Sequence, residues 1–309
     1  MTLPRLRLAQ LPTPIQHLER LSMDLGVELW AKRDDLTGLG LSGNKVRKLE
    51  YLLADAQQQG ATAVVTTGGI QSNHCRATAV AARMLGLRPA LLLRGEDPGV
   101  PDGNLLLDRV LGAEIQWCSA DAYRDHRDEL MGAMAARLHA EGERPYVVPE
   151  GGSNGLGALA YAAAADEVRD GGFDHIFVAV GSGGTVAGLA MAGLEAHVHG
   201  IAVCDDAASF AARVEHIHRD AGATKVDPTG WSIDDGYRGE AYGVASPEVW
   251  GTIALMARRE GLLLDPCYTG KAMHALVSEV RAGRVTGRVL FWHTGGAFGL
   301  FGRGAELPA

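Results

Sequence analysis

Short apolar segments that end in paired glycines recur along this chain, and each is followed by a segment with helical spacing. The pairs are Gly68-Gly69, Gly151-Gly152, Gly183-Gly184 and Gly295-Gly296. Strands that alternate with helices in this way are typical of α/β proteins with parallel sheets. Ligands bind beyond the carboxyl ends of parallel strands, and glycine lets the backbone approach a ligand closely. The four turns together therefore predict one ligand site.

Several of these segments are apolar at every position, as strands buried on both faces of a parallel sheet are. Ile176–Val180 is an example. Other spacings predict a helix over residues 15–25 and a short strand at residues 263–264. Residues 200–260 are less regular, and their polar, glycine-rich part, Thr229–Ala245, is predicted to be a loop near the site.

Charge and composition exclude several classes of function. The chain has 37 acidic and 29 basic residues, a net charge of −8, and so offers no basic surface for nucleic acid. No apolar run approaches the roughly 18 residues of a membrane span, and the N-terminus lacks the apolar core of a signal peptide, so a cytoplasmic protein is expected. The four cysteines form no Cys-x-x-Cys pair, and the pairs His197/His199 and His216/His218 lack further ligands. Neither a disulfide scaffold nor a metal site is therefore expected.

The segment Gly181-Ser-Gly-Gly-Thr-Val-Ala-Gly188 follows an apolar strand and opens a helix. Free backbone N–H groups at a helix N-terminus suit a phosphate, and Ser182 and Thr185 can add hydroxyl donors. The segment is not the dinucleotide pattern G-x-G-x-x-G, because Val186 stands at the third glycine position. A phosphate or another small anion is expected here, and a plain turn is the alternative.

The segment Gly38-Leu-Gly-Leu-Ser-Gly-Asn-Lys45 is close to the nucleotide-binding P-loop but does not match it. Asn44 is inserted before Lys45, and Val46 replaces the hydroxyl residue that would bind Mg²⁺. What remains is a lysine at the start of a helix, after a flexible loop. The helix dipole and burial can both destabilise its ammonium group and leave an amine able to form a Schiff base, although a surface lysine would show the same pattern.

Polar residues suited to a substrate stand at two further places. Ser72, Asn73 and His74 begin a helix, where a hydroxyl, an amide and helix N–H groups can bind a carboxylate; capping alone would also explain them. Tyr242 and Tyr268 lie in polar segments that contain glycine. A phenol in such a loop can act as an acid or a base, or it can simply pack with its hydroxyl in water.

The segment Gly151-Gly-Ser-Asn-Gly155 matches the hydrolase pattern G-x-S-x-G after a strand. Ser153 would then be a nucleophile, followed by Asp265 and His293 in the chain order that α/β-hydrolases use. The pattern is short, however, and no glycine-rich oxyanion loop precedes it. A serine hydrolase is therefore a remote alternative.

Three motifs together resemble one family of enzymes: Lys32-Arg-Asp-Asp-Leu-Thr-Gly38, Gly43-Asn-Lys-Val-Arg-Lys-Leu-Glu50 and Gln71-Ser-Asn-His-Cys-Arg76. They are similar to the D-cysteine desulfhydrase and 1-aminocyclopropane-1-carboxylate (ACC) deaminase family, and the likeness extends from about residue 11 to residue 299. The resemblance implies a fold of the tryptophan-synthase-β type (fold type II) and the cofactor pyridoxal phosphate. It also implies a homodimer that acts on a small amino acid.

The length alone allows one large domain or two smaller ones. The resemblance implies two open parallel-sheet domains flanked by helices, with the cofactor and active site in the cleft between them. The larger domain is expected to comprise residues 1–47 and 158–309, and the smaller domain residues 48–157.

Roles for individual residues also follow from the resemblance. Lys45 is expected to hold the cofactor covalently and to move a substrate proton. The expected cofactor ligands are Lys45, Lys48, Asn73, Gly181, Ser182, Gly183, Gly184, Thr185 and Thr294. The expected substrate contacts are Ser72, Asn73, His74, Tyr242, Tyr268 and Thr269. Ser72, Tyr242 and Tyr268 are expected to join Lys45 as catalytic residues.

Two positions discriminate between activities within the family that this chain resembles. Tyr268-Thr-Gly-Lys271 and His293-Thr-Gly-Gly296 have threonine where ACC deaminases have glutamate and leucine, and both are similar to D-cysteine desulfhydrases. Conversion of D-cysteine to pyruvate, sulfide and ammonia is therefore the first hypothesis, with ACC deaminase and L-cysteate sulfo-lyase as alternatives. A sulfonate would call for a further arginine, which no motif singles out. The preferred enantiomer stays open, as does the effect of Cys75 and Cys267, which depart from the family's usual residues.

Overall fold

The computed structural model describes residues 3–307, so residues 1–2 and 308–309 of the expected larger domain lie outside the described part. The described part contains ten β-strands: β1 (Ile15–His17), β2 (Glu28–Arg33), β3 (Ala63–Gly69), β4 (Arg88–Arg94), β5 (Glu114–Cys118), β6 (Pro145–Val147), β7 (His175–Val180), β8 (His197–Ala202), β9 (Trp231–Asp234) and β10 (Arg288–His293). It also contains eleven α-helices: α1 (Glu19–Leu25), α2 (Lys45–Gln58), α3 (Asn73–Met84), α4 (Gly103–Val110), α5 (Ala120–Ala140), α6 (Gly155–Ala164), α7 (Gly184–Met191), α8 (Ala207–Asp220), α9 (Pro247–Glu260), α10 (Thr269–Arg281) and α11 (Ala297–Phe301). None of these helices is long and apolar enough to cross a membrane.

The strands form two sheets. One has six strands in the order β1-β2-β10-β7-β8-β9, and the other has four strands in the order β5-β4-β3-β6. All neighbouring strands are parallel except β1 and β2, which run antiparallel. The predicted α/β fold with two parallel sheets and flanking helices is confirmed. The six-stranded sheet draws on both ends of the chain and the four-stranded sheet on its middle; the predicted domain boundaries near residues 47 and 157 stay a prediction.

Both faces of the six-stranded sheet are buried, which explains why its central strands are apolar throughout. Phe177 of β7 and Phe291 of β10 pack into the core on one face, beneath α9 and α10. Val178 and Trp292 pack into the core on the other face, beneath α6, α7 and α8. Because successive residues of a strand point to opposite faces, a strand covered on both sides needs apolar residues at every position.

Two short elements differ from the sequence prediction. The helix predicted over residues 15–25 begins only at Glu19, because Ile15–His17 pairs with β2 as an antiparallel edge strand. No strand forms at residues 263–264 within the described sheets. Leu264 is apolar for another reason, since its side chain is buried in the core beside α9 and α10.

The irregular stretch from residue 200 to 260 contains more structure than predicted. Residues Trp231–Asp234, within the predicted loop, pair with β8 and extend the edge of the larger sheet as β9. Helices α8 and α9 were also not predicted, although the sequence carries a start signal for each. Asp206 caps α8 by accepting a hydrogen bond from the next turn, and Ser246 caps α9 just before Pro247. Such residues at the first positions of a helix are common start signals.

Candidate active site

A cavity of about 520 Å³ lies between the two sheets, at the carboxyl ends of β3, β4 and β7 and beside the loop after β10. Most of the predicted site residues line its wall: Lys45, Ser72, Asn73, His74, Gly181, Ser182, Gly183, Thr185, Tyr242, Tyr268 and Thr294. Lys48, Gly184 and Thr269 do not line it. The chain therefore folds so that segments far apart in sequence meet around one enclosed space.

Lys45 is the first residue of α2, and its side chain lines the cavity. Burial lowers the pKa of its ammonium group to about 8, and the carboxylate of Glu150 opposes this effect only in part. An amine with such a pKa is partly neutral near neutral pH and can attack a carbonyl carbon. Burial is thus the main physical reason why this lysine can serve as a nucleophile.

Two glycines bring the loop before α2 into backbone contact with the loop after β10. The N–H of Asn44 donates to the carbonyl oxygen of Thr294 at 3.1 Å. A Cβ atom on Gly43 would lie 2.8 Å from that oxygen, and one on Gly295 would lie 2.6 Å from the Cα of Gly43. The two glycines have φ angles of +109° and +90°, which other residues rarely adopt. This crossing fixes Lys45 and Thr294 in the same wall of the cavity.

The segment Gly181–Thr185 forms a turn at the start of α7 with the groups that an anion requires, and we call it the anion-binding turn. Gly183 has a φ angle of +89°, and the first N–H groups of a helix have no acceptor within it. The hydroxyl oxygen of Ser182 lies 2.8 Å from that of Ser153, which also accepts a hydrogen bond from the N–H of Gly184 at 3.3 Å. The turn therefore offers N–H groups, hydroxyls and the positive end of a helix dipole, as a phosphate group requires.

Lys48 supports this turn from behind the cavity wall. Its ammonium group donates to the hydroxyl of Ser153 at 3.0 Å and to the carbonyl of Gly151 at 3.2 Å. Burial lowers its pKa, and the charge of Lys45 lowers it further. Gly184 is packed against the same group, because a Cβ atom there would lie 2.7 Å from the nitrogen of Lys48. Lys48 and Gly184 therefore contact Ser153 and do not line the cavity wall, and their roles as cofactor ligands stay a prediction.

The start of α3 presents hydrogen-bond donors to the cavity. The hydroxyl of Ser72 accepts from the N–H of Cys75 at 3.1 Å, so its own proton is free to donate. The side-chain oxygen of Asn73 accepts from Asn104 at 3.1 Å, which leaves its amide N–H groups for a ligand. Burial, together with the nearby lysine charges, lowers the pKa of His74 and keeps it neutral. With the free N–H groups of the first turn, this helix end can bind a carboxylate.

Tyr242 and Tyr268 form a hydroxyl pair in the cavity wall. Their oxygens are 2.5 Å apart, and their rings meet edge to face with centres 5.9 Å apart. Tyr268 packs against the anion-binding turn, since a Cβ atom on Gly181 would lie 2.9 Å from its ring. Burial raises the pKa of both phenols, so both are protonated near neutral pH. One proton joins the two oxygens, and the other can be donated to a ligand.

Besides Lys48 and Gly184, the sequence singled out Thr269, Cys75 and Cys267, and these also lie outside the cavity wall. Thr269 is fully buried, and its hydroxyl donates to Asp265 at 2.6 Å, so the expected contact with a substrate is not supported. Cys75 is buried in an apolar cluster beneath α3. Cys267 follows Asp265 in the turn before α10, and burial raises the pKa of its thiol to about 12. Neither thiol is presented to a ligand in the cavity.

The structure contradicts the serine-hydrolase hypothesis, because no hydrogen bond within residues 3–307 joins its three residues to one another. Ser153 lies against the anion-binding turn, as described above. The Nε2 atom of His293 lies 3.0 Å from the carbonyl oxygen of Leu263, and its Nδ1 atom accepts from the N–H of Gly295 at 3.2 Å. The carboxylate of Asp265 accepts from backbone N–H groups of the turn that follows it. Neither ring nitrogen of His293 is free to take a proton from a serine.

Other cavity residues were missed in the sequence. Tyr123 and Arg127, on the first turns of α5, both donate to the carboxylate of Glu150, at 2.6 Å and 2.9 Å. Arg94 lines the same part of the wall. Arg94 ends the buried strand β4, and Glu150 closely follows the partly buried strand β6, so a charged residue near the carboxyl end of a strand was the signal in the sequence. The tyrosine carried no such signal, since its helix is long and largely exposed.

Comparison with known proteins identifies the group to which the chain is related. A family model for pyridoxal-phosphate dependent enzymes matches residues 6–295. The chain belongs to this family. As a pyridoxal-phosphate dependent enzyme it uses that cofactor, which confirms the cofactor implied by the three sequence motifs.

Relatives of this pyridoxal-phosphate dependent enzyme match it over nearly its whole length. The D-cysteine desulfhydrase of Yersinia enterocolitica is 43% identical, covering 96% of this chain and 95% of its own. The mitochondrial bifunctional D-cysteine desulfhydrase/ACC deaminase of Arabidopsis thaliana is 42% identical, covering 98% of this chain and 80% of its own. The crystal structure of an ACC deaminase homologue superposes with a TM-score of 0.90 at 38% identity, covering 99% of this chain and 96% of its own. These findings confirm the predicted family resemblance and fold type.

The residues of the cavity fit pyridoxal phosphate. The cofactor's aldehyde needs an amine, and Lys45 is the lysine whose side chain lines the cavity wall. Its phosphate needs a concave set of donors, and the turn Gly181–Thr185 is such a set. Side chains would fill this cradle, since a Cβ atom on Gly184 would lie 2.6 Å from the hydroxyl oxygen of Ser153. The amide of Asn73 and the hydroxyl of Thr294 could hold polar atoms of the cofactor ring.

Proposed function

We propose that this enzyme catalyses β-elimination from a β-substituted amino acid, and that D-cysteine is a substrate, which yields pyruvate, sulfide and ammonia. The observation that carries the proposal is a single cavity that contains the Lys45 amine, the anion-binding turn Gly181–Thr185 and the Tyr242–Tyr268 hydroxyl pair. Elimination removes a proton from one carbon and a leaving group from the next. It therefore needs a base and an acid in one enclosed site.

In this proposal the chain divides the work of holding the cofactor among several segments. Lys45 would bind it covalently, and the turn Gly181–Thr185, with Ser153, would bind its phosphate. The amide of Asn73 and the hydroxyl of Thr294 would hold polar atoms of its ring. When bound, the cofactor draws electrons away from the Cα atom of the amino acid and so makes its proton acidic.

The remaining residues bind the amino acid and move protons. Its carboxylate accepts hydrogen bonds from the hydroxyl of Ser72 and from the N–H groups at the start of α3. Lys45, displaced by the substrate's amine, takes the proton from Cα with its own neutral amine. The Cα electron pair forms the double bond, the Cβ–S bond breaks, and sulfur leaves with its electron pair and receives a proton from the Tyr242–Tyr268 pair. Hydrolysis of the unsaturated amine gives pyruvate and ammonia.

The choice of a sulfur substrate over ACC is supported by two threonines, of which only Thr269 replaces a carboxylate. Thr294 and Thr269 have hydroxyls where the sequence resemblance would place leucine and glutamate in an ACC deaminase. Within the described cavity wall the acidic residues are Glu150 and Asp205, and both pair with arginines. ACC deaminase remains the second candidate, because the Arabidopsis relative is named for both activities.

The proposal is tested with purified wild-type enzyme and the variant Lys45→Ala. Wild-type enzyme should show the visible absorption band of bound pyridoxal phosphate and should form pyruvate and sulfide from D-cysteine. Lys45→Ala should lose both the band and the turnover. Lys225→Ala, which removes an exposed lysine, is the matched control and should keep both.

Two outcomes would contradict this proposal. Pyruvate formation by Lys45→Ala at the wild-type rate would remove the lysine from the mechanism. Formation of 2-oxobutyrate from ACC, with no pyruvate from D-cysteine or from its enantiomer, would make ACC deaminase the function. A panel of D- and L-amino acids with β-leaving groups, cysteate included, identifies the enantiomer and tests the sulfo-lyase alternative. The homodimer and the cytoplasmic location expected from the sequence stay predictions.

A further inference from the structure

Arg94, the last residue of β4, lies half-buried in the cavity wall. No hydrogen-bond acceptor or carboxylate within residues 3–307 pairs with its guanidinium group. Two aromatic rings hold the group instead: its Cζ atom lies 5.1 Å from the ring centre of Tyr242 and 5.3 Å from that of Tyr123. Aromatic faces attract and orient a cation, but they leave its charge and its N–H donors available.

The other arginines of the described cavity wall are each paired with a carboxylate. The pairs are Arg124–Asp125 at 2.8 Å, Arg127–Glu150 at 2.9 Å and Arg213–Asp205 at 2.5 Å. Their charges are therefore largely compensated within the chain. Arg94 differs from them because its positive charge is left for a ligand.

Arg94 is close to the helix end that binds the substrate carboxylate in the proposed function. The register of β3 and β4 places it beside Gly69. A Cβ atom on Gly69 would lie 3.8 Å from the Nη2 atom of Arg94 and 3.6 Å from the ring of Tyr242. The carbonyl oxygen of Gly69 accepts from the N–H of Ser72 at 3.0 Å. Gly69 therefore contacts both the guanidinium group and Ser72, and its lack of a side chain leaves room beside them.

The substrate carboxylate has donors of its own at the start of α3 and does not need Arg94. We propose that Arg94 binds a second negative charge, carried by the side chain of the amino acid. The site then prefers substrates whose β-substituent is an oxyanion, such as a sulfinate or a sulfonate. A guanidinium group pairs with a planar or tetrahedral oxyanion through two parallel hydrogen bonds, whereas a neutral thiol offers it no comparable acceptor.

Turnover of such substrates rests on the proposed β-elimination, whereas their binding does not. With a sulfonate, Lys45 takes the Cα proton, the Cα electron pair forms the double bond, and the Cβ–S bond breaks. The sulfur group leaves with the bonding pair as sulfite, and water converts the unsaturated amine to pyruvate and ammonia. A β-carboxylate does not leave in this way, so aspartate is a ligand that reports binding without elimination.

The test compares wild-type holoenzyme with Arg94→Gln, Arg94→Lys and Arg124→Gln. Each is titrated with aspartate and with alanine, both enantiomers, while the visible absorption of the bound cofactor is followed. Arg94→Gln should weaken aspartate binding by about tenfold to hundredfold, the usual effect of removing a hydrogen bond to a charged group, and should leave alanine binding almost unchanged. Arg94→Lys should recover part of the loss, since it keeps the charge. Arg124→Gln removes an equal charge from the rim, where it is already paired, and should not change the ratio of the two affinities.

Turnover provides a second readout. The ratio of kcat/KM for cysteate to that for cysteine should fall in Arg94→Gln, mainly through a higher KM for cysteate. Equal losses of aspartate and alanine binding would overturn the proposal, because they would place Arg94 at the substrate carboxylate or in the packing of the tyrosines. Wild-type enzyme that binds aspartate no more tightly than alanine would overturn it as well. If no β-substituted amino acid releases product while aspartate binding still depends on Arg94, the β-elimination fails and the anion site stands.

Discussion

The carboxylate of Asp34 and the guanidinium group of Arg47 form an ion pair that is closed to solvent, two residues along α2 from Lys45. Arg47 donates to both carboxylate oxygens, at 2.9 Å and 2.8 Å. Tyr161 and Trp292 donate to the same carboxylate at 2.6 Å and 2.8 Å. Asp34 directly follows β2, and Arg47, Tyr161 and Trp292 come from α2, α6 and β10, so the pair fastens the helix that carries Lys45 to the larger sheet.

Breaking this ion pair should destabilise the protein and weaken its hold on the cofactor. Asp34→Asn should cost about 3 kcal/mol, the low end for a broken buried pair, because Glu167 still compensates Arg47. Tyr161→Phe removes one hydrogen bond and keeps the pair, so it should cost about 1 kcal/mol. Urea unfolding of the two apoproteins, together with titration by pyridoxal phosphate, measures both effects. Equal losses in the two variants would show that the charge pair contributes nothing beyond its hydrogen bonds.

The rate at which apoprotein takes up pyridoxal phosphate should rise with pH through about 8. Burial disfavours the charged form of Lys45 and lowers its pKa to about 8, so the nucleophilic amine is present above that pH and is lost below it. The neutral fraction, and with it the rate, should increase about tenfold between pH 7 and pH 9. Stopped-flow absorbance on the apoprotein measures the rate. A midpoint near the ordinary value of a lysine, above pH 10, would mean that burial does not activate this residue.

A methyl group on Gly151 should weaken cofactor binding more than stability. Gly151 has a φ angle of +66°, and a Cβ atom there would collide with the hydroxyl of Ser182 in the anion-binding turn. Gly193→Ala is the matched control, because its φ angle is +60° and, apart from its two chain neighbours, no residue within 3–307 has an atom within 4 Å of the added carbon. Both variants should lose about 1 kcal/mol through backbone strain, whereas only Gly151→Ala should raise the dissociation constant of pyridoxal phosphate. Similar constants for both variants would mean that Ser182 can move aside without consequence.

The buried carboxyl of Asp108 should make stability fall as pH rises. Neither of its oxygens has a hydrogen-bond partner within the described residues, and burial raises its pKa to about 8. Because this pKa is higher in the folded state than in the unfolded chain, the folded state loses stability as pH rises from about 4 through about 8. Asp108→Asn should therefore be more stable than wild-type protein at pH 8.5 and show a much smaller difference near pH 4.5. Thermal unfolding of both proteins at the two pH values measures this; a difference that is independent of pH would show that the carboxyl titrates normally.

The parts of the fold that depend on one chain segment alone were predictable. The strand β7 contains the apolar run Ile176–Val180 recognised in the sequence, since burial on both faces leaves such a run uninterrupted. The start of α2 at Lys45 was also predicted, because a glycine loop precedes a helical spacing. By contrast, β9 has only four residues at a sheet edge, and nothing but its pairing with β8 makes it a strand.

The cavity residues likewise divide into those that the local sequence predicts and those that only the fold reveals. Those attached to a strand end or a helix start, such as Ser72 and Ser182, could be located from local pattern. The contact between Tyr123 and Glu150 joins residues 27 positions apart, and no spacing rule connects a long exposed helix to a turn after a short strand. Ser153 shows the opposite case, since its local pattern pointed to a nucleophile and only the fold revealed its contact with Lys48 and the anion-binding turn.

The backbone crossing of Gly43 and Gly295 has an evolutionary consequence. Single substitutions can hardly change the cavity wall near Lys45 and Thr294, because neither Gly43 nor Gly295 has room for a side chain. Arg94 and Tyr123, elsewhere in the cavity wall, stand on separate elements and can each be exchanged. Substitutions at Arg94 and Tyr123 can therefore change which amino acid the enzyme accepts. The side of the cavity that carries Lys45, the residue proposed to transfer protons, stays unchanged. Such an arrangement would produce relatives that share one fold and are named for different activities.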